Sequence, residues 1–190
     1  MKYIRFKIIF KNNDELILND ARRFAYVKLV ATKDFSEVED RFGLEPLDDG
    51  FSYIKFKELV KKRKNKNIKA FLLDQSLVAG IGNIYADEIL FASSVKPTRS
   101  VDSLSLRELK KIFLNIKKIL KLAVLKRGTT FSDYTDVEGQ SGGFVKLLKV
   151  YGKDGDNCRK CKNIIKKTKV AGRGTHYCDF CQRVQAMEHN

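Results

Sequence analysis

Alternating apolar and polar residues mark the start of the chain. Between residues 3 and 11, the apolar members of the alternation are Ile4, Phe6, Ile8 and Phe10. This period of two predicts a half-buried strand. A turn at residues 12–14, a second strand through Leu16 and Leu18 and a third at residues 24–30 would complete an antiparallel meander. Such a meander needs another element to cover its apolar face.

Helical spacing of apolar residues replaces this alternation after residue 50. It predicts helices near residues 53–62 and 68–73, a helix that has Asn83 as its N-cap and runs to residue 92, and a long helix over residues 105–126. The long helix has a basic face opposite an apolar one. The apolar face consists of Leu109, Ile112, Phe113, Ile116, Ile119, Leu120 and Ala123.

The helical periodicity ends at Gly128, and the stretch from there to Phe144 contains Gly139, Gly142 and Gly143. Glycine permits backbone conformations that other residues rarely adopt. A long loop inside a compact protein is often functional, and an ordinary surface connection is the alternative.

The charge of the chain points to a polyanionic partner. Lys and Arg number 38 against 23 Asp and Glu, which gives a formal net charge of +15. The basic residues concentrate at 55–69, 107–127 and 146–169, and nucleic acid is the first candidate partner. No apolar run approaches the roughly 18 residues that span a bilayer, and the N-terminus has no signal-peptide core. We expect a cytoplasmic, nucleoid-associated protein with no membrane partner.

All four cysteines of the chain form two Cys-x-x-Cys pairs, Cys158 with Cys161 and Cys178 with Cys181. This spacing lets four thiolates converge on one zinc ion. Two disulfides are the alternative, but nothing else in the chain indicates an oxidising compartment. Four thiolates leave no position for water, so the zinc should be structural. His176 is expected to face the surface or DNA rather than the metal.

A glycine-rich turn, Gly80-Ile-Gly-Asn83, leads into a predicted helix. The N–H groups and the dipole at such a helix N-terminus can hold a phosphate oxygen. By itself this signal is weak, because similar turns also serve only to pack helices.

Together with its neighbours, this turn resembles the formamidopyrimidine-DNA glycosylase and endonuclease VIII family of bacterial base-excision repair enzymes, most closely the formamidopyrimidine branch. The resemblance covers nearly the whole chain. Its motifs are Asp20-Ala-Arg-Arg-Phe24, Leu44-Glu-Pro-Leu47, Leu72-Leu-Asp-Gln75, Gly80-Ile-Gly-Asn83-Ile-Tyr85, Val150-Tyr-Gly152 and Ala171-Gly-Arg-Gly-Thr-His-Tyr-Cys178.

The resemblance implies an α+β fold in three segments. Residues 1–47 would be the remnant of an antiparallel β-sandwich, residues 48–148 a helix-two-turn-helix DNA-binding domain with a lesion-capping loop, and residues 149–190 a zinc-finger β-hairpin with four cysteine ligands. The implied partner is double-stranded DNA that is damaged or abasic, and the implied cofactor is one Zn²⁺ ion.

The resemblance also implies roles for individual residues. The DNA-backbone contacts would come from Lys69, Gly82, Asn83, Tyr151 and Arg173. Two further residues, Arg22 and Phe24, would fill the gap and wedge the stack when the damaged nucleotide is flipped out. The loop that closes over the extruded base would contain Thr130, Tyr134 and Gly142.

One departure from the family concerns catalysis. Family members begin with a proline whose amine is the nucleophile, and a glutamate follows it, whereas this chain begins Met1-Lys-Tyr3. We therefore expect the nucleophile and the first part of the sandwich to be absent. Smaller departures are Ala21 and Ala25, where the family usually has proline and glycine.

Several functions remain open at this stage. The chain could bind damaged DNA without efficient glycosylase activity, or cleave abasic sites with another amine, such as the α-amino group of Met1 or the side chain of Lys2. It could also be half of an enzyme, with a second polypeptide or a second copy completing the β-sheet. A zinc-bearing RNA-binding module is an alternative from another class, although the Gly80 turn argues against it.

Overall fold

The computed structural model describes residues 3–21, 23–129 and 142–183. Helices and small antiparallel sheets confirm the α+β fold class. The chain divides into two compact units, Met1–Asp40 and Arg41–Asn190. The finer division into segments 1–47, 48–148 and 149–190 stays a prediction.

The first unit contains a two-stranded antiparallel sheet. Strand β1 (Ile4–Ile9) pairs with β2 (Glu15–Asn19), so that Phe6 lies opposite Leu18 and Ile8 opposite Leu16. A 3-10 turn (Thr32–Asp34) and helix α1 (Ser36–Glu39) follow. None of the described side chains between residues 3 and 40 is buried. Within its described part, the unit therefore has no core of its own.

The third strand predicted at residues 24–30 is wrong. No strand is present over residues 23–30. The Asp20 carboxylate instead accepts hydrogen bonds from the backbone N–H groups of Arg23, at 3.0 Å, and Ala25, at 2.7 Å. These bonds satisfy two backbone N–H groups at the start of the segment without strand pairing.

Four α-helices lie in the described part of the second unit, and all four were predicted. They are α2 (Tyr53–Lys62), α3 (Ile68–Leu73), α4 (Asn83–Ser93) and α5 (Leu106–Leu125). Side chains cap three of them by accepting a hydrogen bond from a backbone N–H group three residues on. The capping residues are Ser52, Asn67 and Ser105. At α5, Glu108 also accepts from the Ser105 N–H at 2.8 Å, which completes a capping box.

Helix α4 lies at the centre of this unit. Its buried residues are Ala86, Asp87, Glu88, Ile89, Leu90, Phe91 and Ser93. The surrounding core includes aromatic pairs, such as Phe51 stacked on Phe113 with ring centroids 5.1 Å apart. A helix that is covered on nearly every side is fixed by its neighbours, so its ends can orient other elements. Among the described residues, no helix has the length and the apolar run that a membrane crossing needs.

The backbone at Gly43 runs against the loop that precedes α4. The Gly43 N–H donates to the Gln75 carbonyl at 2.8 Å, and the Ala79 N–H donates to the Leu44 carbonyl at 3.0 Å. A Cβ atom at Gly43 would lie 2.3 Å from the carbonyl carbon and oxygen of Leu77. Only glycine therefore fits this position without a backbone shift.

We expect Gly43→Ala to lower the free energy of unfolding by about 1–3 kcal/mol, because the added methyl group overlaps backbone atoms. The matched control is Gly50→Ala, where the nearest atom to the new Cβ is the Lys55 Nζ at 3.8 Å. The control should change stability by less than about 0.5 kcal/mol. Urea denaturation of both variants measures the difference, and equal effects would contradict the assignment.

A zinc-finger hairpin follows the helices. Strands β3 (Lys166–Val170) and β4 (Arg173–Tyr177) are antiparallel. Ala171 and Gly172 connect them with φ angles of 50° and 74°, as in a two-residue type I′ turn. The hairpin region is anchored by a small apolar cluster that includes Phe91 of α4, Val150 and Ile165.

Candidate zinc centre and nucleic-acid interface

The four cysteines converge on one point. The Sγ atoms of Cys158, Cys161, Cys178 and Cys181 all lie within 4.8 Å of one another. The Cys158 to Cys181 separation is 3.9 Å and the Cys161 to Cys178 separation is 3.4 Å. A tetrahedral site with Zn–S bonds of about 2.3 Å has S–S edges of about 3.8 Å, whereas a disulfide bond is about 2.05 Å long. The geometry fits one structural zinc ion.

The cysteine thiols differ in their electrostatic surroundings. Desolvation raises the pKa of Cys161, but hydrogen bonds from the Asn163 side chain and backbone outweigh it and bring this pKa to about 6. Burial raises the pKa of Cys178 and of Cys181. Four thiolates held this close need a cation between them. Zinc would supply no reaction step here, because four sulfur ligands fill its coordination sphere.

Gln182 ties the second cysteine pair to the helical core. Its side-chain oxygen accepts from the Cys178 N–H at 2.9 Å, and its amide nitrogen donates to the Val95 carbonyl at 2.9 Å. The Gln182 side chain is fully buried. The zinc finger is thus fixed to the C-terminal end of α4 by a hydrogen bond and by the apolar cluster around Phe91.

Lys69 holds the hairpin rather than a phosphate. It is fully buried, and its Nζ lies 2.6 Å from Asp87 Oδ1, 2.8 Å from Thr175 Oγ1 and 3.1 Å from the Gly174 carbonyl. An ammonium group has three donors, so none is left for DNA in this conformation. The direct phosphate contact predicted for Lys69 is therefore corrected, and the residue links α3, α4 and β4.

The second oxygen of Asp87 binds the hairpin directly. It accepts from the His176 backbone N–H at 2.8 Å and lies 3.3 Å from His176 Nδ1. The His176 Nε2 lies 3.2 Å from Asp154 Oδ1. The prediction that His176 faces the surface or DNA is wrong, because β4 folds back on α4 and leaves this residue 5% exposed.

Burial dominates the electrostatics of this network. Desolvation raises the pKa of Asp87 and lowers the pKa of Lys69, and the attraction between the two groups opposes both shifts. Opposite charges in contact compensate part of the desolvation that each suffers alone. The pair is therefore sensitive to the loss of either partner.

Glu88 organises the segment that carries Tyr151. Its Oε1 accepts backbone N–H donors from Lys149 at 2.9 Å, Val150 at 2.9 Å and Tyr151 at 3.0 Å. Desolvation raises the pKa of Glu88, and these three donors oppose that rise. The ring of Tyr151 meets the ring of His176 edge to face, with centroids 4.9 Å apart. Tyr151 is half-buried beside the hairpin.

The N-terminus of α4 lies next to the tip of the hairpin. Gly82 is its N-cap, so the prediction that Asn83 is the cap is wrong, and no side chain caps the helix. Asn83 Nδ2 instead donates to the Gly174 carbonyl at 3.0 Å. Gly82 and Arg173 are both exposed. The structure thus brings together Gly82, Asn83 and Arg173 of the predicted site.

Two further predicted site residues, Phe24 and Gly142, lie within the described part of the chain. Phe24 belongs to the first unit and is 79% exposed. A Cβ atom at Gly142 would lie 2.3 Å from the Gly128 carbonyl oxygen. Thr129 pairs with Gly143, and its Oγ1 is 3.1 Å from the hydroxyl of Tyr85. Outside the described residues lie Met1, Lys2, Arg22, Thr130 and Tyr134.

Four buried polar residues that make these contacts were not predicted from the sequence, namely the carboxylates Asp87 and Glu88 and the partners Thr175 and Gln182. Asp87 and Glu88 had a signal, because they are two adjacent acids inside the apolar stretch of residues 84–91. Charged residues are almost never fully buried unless they are paired. Thr175 and Gln182 had no comparable signal.

Helices around a buried α4 and a four-cysteine hairpin define a helix-two-turn-helix protein with a structural zinc finger. Residues 42–135 match the formamidopyrimidine-DNA glycosylase H2TH domain, and residues 155–184 match the zinc finger found in FPG and IleRS. The chain belongs to the formamidopyrimidine-DNA glycosylase family.

Individual relatives agree with this assignment. A formamidopyrimidine-DNA glycosylase of Carboxydothermus hydrogenoformans is 47% identical over 171 residues, which are 89% of this chain and 61% of that protein. MutM (Fpg) of Thermus thermophilus superposes with a TM-score of 0.87 at 36% identity over 96% of this chain and 69% of the other. The Lactococcus lactis Fpg bound to DNA with an abasic site superposes with a TM-score of 0.88 at 34% identity, over 97% and 68%. The chain thus spans less than two thirds of the length of the first of these relatives.

Proposed function

We propose that this chain binds double-stranded DNA that carries an abasic or otherwise damaged nucleotide. The observation that carries the proposal is the junction of two elements. The uncapped N-terminus of α4 is joined by Asn83 to the hairpin that exposes Arg173. Backbone N–H groups and a guanidinium beside each other suit two phosphate oxygens of one DNA strand.

The net charge of the chain and its similarity to a DNA-bound relative support this proposal. A net charge of +15 favours a polyanion and predicts affinity that depends on salt. The Lactococcus lactis relative was solved with DNA that contains an abasic site. Tyr151 lies in the same region, because it packs on His176 of β4. Binding to DNA would also give the protein a nucleoid-associated, cytoplasmic location.

We expect tighter binding to a duplex with an abasic-site analogue than to an intact duplex of the same sequence, measured by fluorescence anisotropy between 50 and 200 mM salt, about the range over which such contacts respond strongly. Arg173→Ala should weaken binding about 10- to 100-fold, the loss that corresponds to one charge-assisted hydrogen bond. It should also make the salt slope shallower by about 1.

Arg159→Ala is the matched control, because Arg159 is another exposed arginine of the zinc finger. It should change affinity less than about threefold, as expected for an exposed charge without a fixed partner. Equal affinity for the two duplexes would remove the lesion-specific part of the proposal. Comparable affinity for single-stranded RNA would favour the RNA-binding alternative.

A second candidate is an active glycosylase or abasic-site lyase whose β-sheet is completed by a further β-rich polypeptide. The observation that favours it is the exposure of one apolar face of this sheet, where Ile8 and Leu16 lie opposite each other and are 38% and 56% exposed. An apolar sheet face without a core needs a cover. Borohydride trapping on abasic-site DNA tests it, with and without a polypeptide that corresponds to the unmatched part of the relatives. Covalent adducts only in its presence would support this candidate, and adducts with the chain alone would instead support an amine such as Met1 or Lys2.

A further inference from the structure

Two adjacent carboxylates in the middle of α4 hold two different parts of the proposed interface. Asp87 is 0% and Glu88 4% exposed. Neighbouring residues of an α-helix point about 100° apart, so the two side chains reach different elements. Asp87 binds β4, and Glu88 binds the segment of residues 149–151.

Asp87 fixes the residues that immediately follow Arg173. It binds the His176 N–H directly, and through Lys69 it reaches Thr175 and the Gly174 carbonyl. The same Gly174 carbonyl accepts from Asn83 at the start of α4. Three hydrogen bonds to the main chain and one to the Thr175 hydroxyl therefore fix residues 174–176 relative to α3 and α4. Arg173 leaves this fixed backbone at the first position of β4.

Glu88 fixes the backbone of Tyr151 in a similar way. Three consecutive N–H groups converge on one carboxylate, at 2.9 to 3.0 Å. Hydrogen bonds to an ionised acceptor are stronger than neutral ones. These bonds set the direction in which the Tyr151 side chain leaves the main chain.

We propose that Asp87 and Glu88 are positioning residues, which hold Arg173 and Tyr151 at fixed distances from the N-terminus of α4. The three contacts then engage one DNA backbone as a preorganised unit. This inference rests on the proposed DNA-binding function. Its physical basis is that contacts ordered before binding lose less conformational entropy when DNA binds.

The assignment is specific for each carboxylate. Asp87 should act through Arg173, and Glu88 through Tyr151. Loss of Asp87 should therefore remove most of what Arg173 contributes, while loss of Glu88 should leave the Arg173 contribution in place. A residue that merely stabilises the fold would weaken neither contact selectively.

The test uses the full chain, a duplex with an abasic-site analogue and salt titrations of affinity. Asp87→Asn should make the salt slope shallower by about 1, as Arg173→Ala does, and adding Arg173→Ala to it should cause less than about a twofold further loss. Glu88→Gln should be similarly non-additive with Tyr151→Phe, and additive with Arg173→Ala.

Glu108→Gln is the control for a purely structural carboxylate. Glu108 caps α5 and pairs with Arg99. Glu108→Gln should lower the melting temperature, while the DNA affinity of the folded protein and its dependence on salt stay at wild-type values. If Asp87→Asn does not fold, the double variant Lys69→Met, Asp87→Leu replaces it. This variant removes both buried charges together with their hydrogen bonds to the hairpin. Its DNA affinity should show the same shallower dependence on salt.

The results distinguish failure of the positioning role from failure of the proposed DNA-binding function. A wild-type salt slope in folded Asp87→Asn, or wild-type affinity in folded Glu88→Gln, would overturn the positioning role. So would an Asp87→Asn loss that is additive with Arg173→Ala, or a Glu88→Gln loss that is additive with Tyr151→Phe. Failure of the wild-type chain to bind either duplex would instead overturn the proposed DNA-binding function.

Discussion

Removal of zinc should abolish tight DNA binding while most of the helical structure remains. Two of the five buried residues in the apolar cluster below the hairpin are cysteines, Cys158 and Cys178. A segment of about 30 residues cannot form an adequate core without a metal or disulfides. Binding of a structural zinc contributes about 10–16 kcal/mol in zinc-finger peptides. The larger core around Phe56 and Ile112 is a separate cluster, so it should survive.

The measurement combines metal analysis, circular dichroism and DNA affinity before and after chelation. We expect about one zinc per chain, most of the helical signal after its removal and at least an approximately 100-fold weaker affinity for abasic-site duplex, because Arg173 and its neighbours lose their positions. Cys178→Ser should have the same effect. Asn157→Ala is the control, since Asn157 is an exposed, neutral residue of the same finger and is not a metal ligand. Unchanged affinity in the zinc-free protein would contradict the role of the hairpin.

Asp87→Asn should be one of the most destabilising single substitutions in the chain. Both side chains of the Lys69–Asp87 pair are 0% exposed, with Nζ and Oδ1 2.6 Å apart. Breaking a buried pair leaves an uncompensated charge, which costs about 3–5 kcal/mol. Urea denaturation at neutral pH measures the loss, with the m-value as a check that the folded state has not changed.

Lys66 and Asp74 provide the matched comparison. Their Nζ and Oδ2 atoms are also 2.6 Å apart, but their side chains are 42% and 24% exposed. Asp74→Asn should therefore cost only about 0–1 kcal/mol. The Lys69→Met, Asp87→Leu double variant should recover much of the stability lost in Asp87→Asn, because an apolar replacement of a buried pair is often neutral. Equal losses for Asp87→Asn and Asp74→Asn would show that burial does not control the effect.

The helices were predictable because their signals are local. Ser105 and Glu108 encode the start of α5 by themselves, since a capping box needs only four consecutive residues. The segment at 24–30 was not predictable, because a strand requires a partner that its own residues do not specify. The N-cap of α4 was also not predictable from local sequence. Its residue type favours an N-cap, but the approach of Gly174 recruits its side chain and leaves Gly82 as the cap.

The sequence by itself determined the zinc ligands, the four main helices and the family of the chain. Cysteine spacing, apolar periodicity and short motifs are local signals, because each depends only on residues close together in the sequence. Only the tertiary structure decided what Lys69, Asp87, Glu88 and His176 do. Their partners lie between 18 and 106 positions away along the chain. Whether a charge faces DNA or closes a buried network depends on which elements pack against it, and that is set by the folding of the hairpin onto α4.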